Sequence, residues 1–202
     1  MKRLFVFLII LLVVSQSACN NGNSNSKSNV ISAIDLNERE DVILSTISEE
    51  SFVFDFNIDT EYKEVGVWLE KYESGELVDD KLGYMTTQTN KNGTIILATS
   101  KSNDKEKKHA FNIGIGDKNG TSSTNFSDKD SNDICDMQSV SGEILKEVKL
   151  TEEEIVLAYV AYSNDENSIS SLSTDFYEDP EAHVGELAEY DVAYLLKVEF
   201  MK

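Results

Sequence analysis

Three places in this chain hold residues whose types and spacing could do chemistry. The run Asp128-Lys129-Asp130-Ser131-Asn132-Asp133-Ile134-Cys135-Asp136 sets carboxylate and amide oxygens at alternate positions, as a loop wrapping a hard cation would. The two histidines, His109 and His183, each lack a second His or Cys at zinc-ligand spacing, so a zinc site would have to borrow distant carboxylates. Cys19 stands at the end of a long apolar run, whereas Cys135 lies between Asp133 and Asp136, where negative charge disfavours its thiolate and predicts a quiet thiol. No G-x-S-x-G elbow occurs, because Val140-Ser141-Gly142 lacks the first glycine. Gly114-Ile115-Gly116 ends a strand pattern without the spacing of a dinucleotide fingerprint. No cofactor is therefore expected. With 37 acidic residues, some carboxylate pair always falls within reach, so a hydrolase built on acidic side chains, aided by His183, stands as the alternative reading.

The first half of the Asp128 run resembles an EF-hand loop, which implies calcium ligands at Asp128, Asp130, Asn132 and Asp136. It departs from that pattern at the sixth position, Asp133 in place of glycine, and at the twelfth, Ser139 in place of a bidentate glutamate. Any affinity should be weak. The flanking Thr121-Ser122-Ser123-Thr124-Asn125 extends the polar character, and residues 116–139 read as one long connection between strands, disordered or used for binding.

At the N-terminus, Lys2 and Arg3 precede an uninterrupted apolar run from Leu4 to Val14, followed by Ser15-Gln16-Ser17-Ala18-Cys19. As a helix, that run covers about 16 Å, roughly half of a ~30 Å hydrocarbon core, which disfavours a stable span. Small residues before a cysteine at this point resemble the lipobox of bacterial lipoproteins, with Gln16 where that pattern has an apolar residue. The resemblance implies a signal peptide over residues 1–18, cleaved after Ala18, and a diacylglyceryl group on Cys19. The chain would then sit on the extracytoplasmic side of the cell membrane, held by its lipid. After Cys19, Asn20 to Asn29 contains no apolar side chain and cannot offset the entropy of ordering, so residues 19–29 read as anchor and flexible tether.

Residues 30–202 suffice for one globular domain with a real core. Phe52, Phe54, Phe56 and Ile58 alternate strictly, as do Val65, Val67 and Leu69, then Phe111, Ile113 and Ile115, so each set marks a half-buried strand. Residues 93–100, 155–162 and 192–200 are apolar on both parities and suit strands in mid-sheet. Turn residues between the runs predict antiparallel hairpins, hence a mainly β, two-layer sandwich of about eight strands. Asp179-Pro180 reads as an N-cap and first helical position, giving one short helix near 180–189. Residues 31–47 are ambiguous: Ile31, Ile34 and Leu36 suit a helix, Val42-Ile43-Leu44 a strand. Trp68 and Tyr72 share the parity opposite Val67, so they either form an outer platform for carbohydrate or peptide or fill a strand covered on both faces. Tyr159, Tyr190 and Tyr194 are expected to hold their hydroxyls at the sheet edge.

The formal net charge is −19, and removing Lys2 and Arg3 with the leader makes it −21. No cluster of basic residues extends beyond Lys105-Glu106-Lys107-Lys108, which excludes nucleic acid as a partner. The preferred reading is a membrane-anchored, non-catalytic module that binds a protein or a cell-wall component.

Overall fold

The computed structural model describes residues 28–100, 109–128, 134, 136–151, 153–165 and 169–202. Their eleven strands form two antiparallel sheets. The strands are β1 (Val30–Ala33), β2 (Ser48–Asn57), β3 (Glu64–Glu73), β4 (Glu76–Gln88), β5 (Asn92–Ser100), β6 (Ala110–Asp117), β7 (Gly120–Ser127), β8 (Gln138–Glu143), β9 (Val148–Lys149), β10 (Ile155–Ser163) and β11 (Val192–Met201). One sheet runs β7-β6-β5-β2-β1-β9 and the other β4-β3-β11-β10-β8. Residues 144–147 carry the chain from one sheet to the other. The architecture is the expected β-sandwich.

Alternation explains the packing. Phe52, Phe54 and Phe56 from β2, Ile95 and Leu97 from β5, and Phe111, Ile113 and Ile115 from β6 point inward. They meet Val65, Val67, Leu69, Leu196, Val198 and Phe200 of the opposite sheet. The second parity of β10 and β11 is apolar for another reason. Residues 169–190 fold across the outside of the five-stranded sheet, where Leu172, Phe176, Leu187 and Tyr190 pack on Val156, Tyr159, Ala161, Ala193 and Leu195. These strands are thus sealed on both faces, which is why every residue of β10 is buried.

Several expectations are corrected. Residues 116–139 are not one loop: Asp117 and Gly120 close a hairpin, and β7 pairs with β6 from Gly120 to Ser127 despite a sequence with little apolar alternation. Edge position explains this, because only Phe126 of that strand needs to reach inward. Val42-Ile43-Leu44 belongs to α1 (Glu38–Ile47), not to a strand. The Asn37 side chain caps the Glu40 amide while Glu40 caps Asn37, a reciprocal box that outweighs the β propensity of two branched residues. The helix expected at 180–189 begins as α2 (Pro180–His183) and continues as a 3-10 turn over Val184–Glu189. Tyr159 and Tyr194 sit deep in the sheet rather than at its edge, because residues 169–190 and the second sheet cover them. The Tyr159 hydroxyl accepts a 3.0 Å hydrogen bond from the Leu172 amide, and that of Tyr190 donates to the Ser170 carbonyl at 2.6 Å.

One glycine is required by the join between sheets. Gly83 has φ +65°, and a Cβ there would strike the Phe126 ring, so β4 can bend over β7 only without a side chain at this position.

Candidate functional site

Alternation that sends Phe and Ile inward sends small polar residues outward on the six-stranded sheet. Ser32 of β1, Asp55 and Asn57 of β2, Thr94 of β5, Gly114 and Gly116 of β6 and Thr121 of β7 line an open groove of about 1310 Å³. Its floor is low because β6 offers two glycines in alternate positions; a Cβ added at Gly114 would have nothing closer than Ile96 Cβ at 4.0 Å. Thr94 donates to Asp55 at 2.6 Å, and beyond the groove Asn125 donates to Asn112 at 2.6 Å.

The rim is built from turns. Asp59 accepts from the Asn29 amide group at 2.7 Å and from the Glu61 backbone at 2.8 Å, while Asn29 accepts from the Asp59 backbone at 2.8 Å. Asp117 accepts from the side chain of Asn90 and, at 2.6 Å, from the backbone of Asn119. These donors, Asn29 first for Asp59 and Asn90 first for Asp117, hold both carboxyls below the ordinary aspartate range. Both stay ionised at neutral pH, so neither suits the role of a general acid. Lys202 and Lys63 add a weaker favourable charge at Asp59, and Lys63, Lys91 and Lys118 also line the groove. The groove can recognise hydrogen-bonding groups along an extended ligand.

A second cavity, of about 220 Å³, lies between residues 169–190 and the outer face of β3 and β11. Lys197 bridges Glu70 at 2.8 Å and Glu154 at 3.0 Å, and the Tyr72 hydroxyl donates to Glu70 at 2.8 Å. Burial first, then Glu70, raises the Tyr72 pKa, so that phenol remains protonated.

Between the sheets, at the end remote from the groove's rim, lies a polar cluster. His109 is buried and its Nε2 lies 2.6 Å from the Tyr162 hydroxyl. Burial pushes its pKa down to about 4, leaving a neutral imidazole. Nearby, the Tyr194 hydroxyl donates to Asp128 at 2.7 Å, and Lys71 Nζ approaches Asp128 at 2.8 Å and Glu73 at 2.6 Å.

The family model of the YgaN domain matches residues 30–200. The chain belongs to the YgaN domain family. No curated protein and no solved structure matches it.

The residues singled out in the sequence do not gather in this YgaN domain. Cys19, Asp130, Asn132 and Cys135 lie outside the described residues. Of the expected calcium ligands, Asp128 turns inward to Lys71 and Tyr194, and Asp136 is exposed on the surface. Among the described residues no three His, Cys, Asp or Glu side chains gather as a metal site would need. His183 is half-buried and its Nδ1 sits 2.9 Å from the Asp179 carbonyl, a local contact within one turn. Trp68 is fully buried beneath Lys81 and Tyr84, with Lys81 Nζ 4.9 Å from its ring centroid, so it forms no outer platform. The groove and the Lys71 cluster were missed by motif reading. Strand parity carried part of the signal: Asn112, Gly114 and Gly116 alternate with Phe111, Ile113 and Ile115, and such small polar positions face outward.

Proposed function

We propose that this chain is a lipid-anchored binding module on the extracytoplasmic face of the membrane, which holds an extended, uncharged cell-wall polymer in the groove of its six-stranded sheet. The open groove carries the reading. Its floor of hydroxyls, amides and bare backbone offers hydrogen bonds along a length and no enclosed chamber for a reaction. The net charge of −21 left once the leader is removed repels anionic polymers, which favours a neutral glycan or peptide strand. The lipobox-like Ser15 to Cys19 supports anchoring. The family match begins at Val30, where the polar tether is expected to end, and this agrees with a separate tether and domain. No described helix is long and apolar enough to cross a membrane.

The alternative, an acid-dependent hydrolase, draws on Glu143, whose carboxyl is raised by burial and then by Asp35. Glu143 lines neither cavity, so the binding reading is preferred.

Two measurements test the proposal. The full chain, isolated from membranes, should carry a diacylglyceryl adduct on Cys19 that disappears in Cys19→Ala. It should also co-sediment with insoluble peptidoglycan, and Gly114→Phe, which fills the groove floor, should lose most of that binding with its thermal unfolding unchanged. An unmodified Cys19 sinks the anchor. Equal sedimentation of both proteins, or of neither, sinks the groove.

A further inference from the structure

The cluster at the remote end of the sandwich joins the two sheets through side chains that the groove does not use. Lys71 belongs to β3 in the five-stranded sheet; Asp128 directly follows β7 in the six-stranded one. Lys71 is 5% exposed and Asp128 8%. Nζ of Lys71 lies 2.8 Å from Oδ2 of Asp128 and 2.6 Å from Oε1 of Glu73, whose side chain is 47% exposed. The Tyr194 hydroxyl meets the same Oδ2 at 2.7 Å, and its ring packs 4.6 Å from that of Phe111. An amine, a carboxyl group, a second carboxylate in contact with the amine and a hydroxyl donor on the acceptor oxygen are thus gathered at the margin of an aromatic core.

We propose that Lys71 and Asp128 condense into an intramolecular isopeptide bond, with Glu73 as proton carrier and Tyr194 as the donor that stabilises the addition step. The net change joins an ammonium and a carboxylate into a secondary amide and one water. Glu73 takes a proton from the Lys71 ammonium and passes it to Asp128, which gives a neutral amine beside a neutral acid. Proximity fixed by the fold replaces a bimolecular encounter. The amine lone pair adds to Cγ of Asp128, and the carbonyl electron pair moves onto the oxygen, where a hydroxyl donor such as Tyr194 stabilises the charge. Glu73 then removes a second proton from nitrogen and delivers it to the departing hydroxyl. The C–O bond breaks, water leaves and the carbonyl re-forms. No oxidant or other reactant is needed.

The position suits the consequence. The bond would close the chain between residues 71 and 128 and tie one sheet to the other. A protein whose sequence holds only Cys19 and Cys135 would gain a cross-link that no reductant breaks.

The test is peptide mapping of the full chain by mass spectrometry after digestion of the folded protein. The expected product is one branched peptide containing both Lys71 and Asp128, lighter by one water than its two parts together. Glu73→Gln replaces a half-exposed side chain and should keep the circular dichroism of the parent and a cooperative unfolding transition, at a midpoint lowered by the missing cross-link. Its yield of branched peptide should fall at least about tenfold, as loss of a proton carrier predicts. Recovery of Lys71 and Asp128 in separate peptides from folded parent protein would overturn the proposal and leave a buried ion pair only. An undiminished branched peptide in Glu73→Gln would overturn the role given to Glu73.

Discussion

The groove rim and the interior cluster are made from the same kinds of side chain, and they differ in what surrounds them. Asp59 and Asp117 are half-buried at a margin open to water and are held by neighbouring asparagines and turn amides. Asp128 sits out of water and is held by a lysine and a tyrosine from distant strands. At the rim, water is a ready substitute for any partner that is lost, so the carboxylates remain available to a ligand. In the interior no substitute exists, and each group depends on its neighbours. Burial, more than residue type, separates a surface for recognition from a cluster with high energetic stakes.

The largest expected effect breaks that contrast at its buried end. Asp128→Ala removes the partner that holds Lys71, whether as counter-charge or in the proposed amide, and stability should fall by about 3–5 kcal/mol in a denaturant titration. A loss under about 1 kcal/mol would mean that water reaches Lys71, and the cluster would then resemble the rim.

His109 gives the next effect. Its folded pKa of about 4 lies below the unfolded value near 6.5, so the unfolded chain binds more protons between these limits. The stability from keeping it neutral is complete above pH 6.5 and is lost as pH falls toward 4, by about 3 kcal/mol at most. Subtracting the stability profile of His109→Phe from that of the parent isolates this slope from the many carboxylates. A flat difference would show that the imidazole is solvated.

Exposed charge should matter least. Lys146 and Glu178 form an ion pair with side chains 71% and 60% exposed. Lys146→Ala should leave the denaturation midpoint unchanged within error at moderate salt. A cost similar to that of Asp128→Ala would erase the distinction between buried and exposed pairs.

Much of the fold was legible because sheet packing writes itself into sequence with a period of two. Phe52 to Ile58 and Phe111 to Ile115 identified their strands and inward faces directly. The less legible strands were those whose partners supply the order. β7 has little apolar alternation and exists because β6 pairs with it through a short turn. α1 was hidden by Val42 and Ile43, which remain exposed on it, while its signal lay in Asn37 and Glu40 at the cap. The site was less legible still. The alternation from Asp128 to Asn132 suggested a local cation loop, but Asp128 finds its partners at Lys71 and Tyr194, far away in the chain.

The sequence by itself determined the class of the fold, the inward residues of the main strands, the proline-started helix and the acidic balance of the surface. Each follows from local periodicity, capping or composition. Only the tertiary structure decided that Trp68 is covered, that residues 169–190 roof one sheet, that two glycines floor a groove on the other, and that Lys71, Glu73, Tyr194 and Asp128 meet. The reason is physical. Pairing order and sheet-on-sheet contact join residues tens of positions apart, and no local pattern records which buried charge will face which.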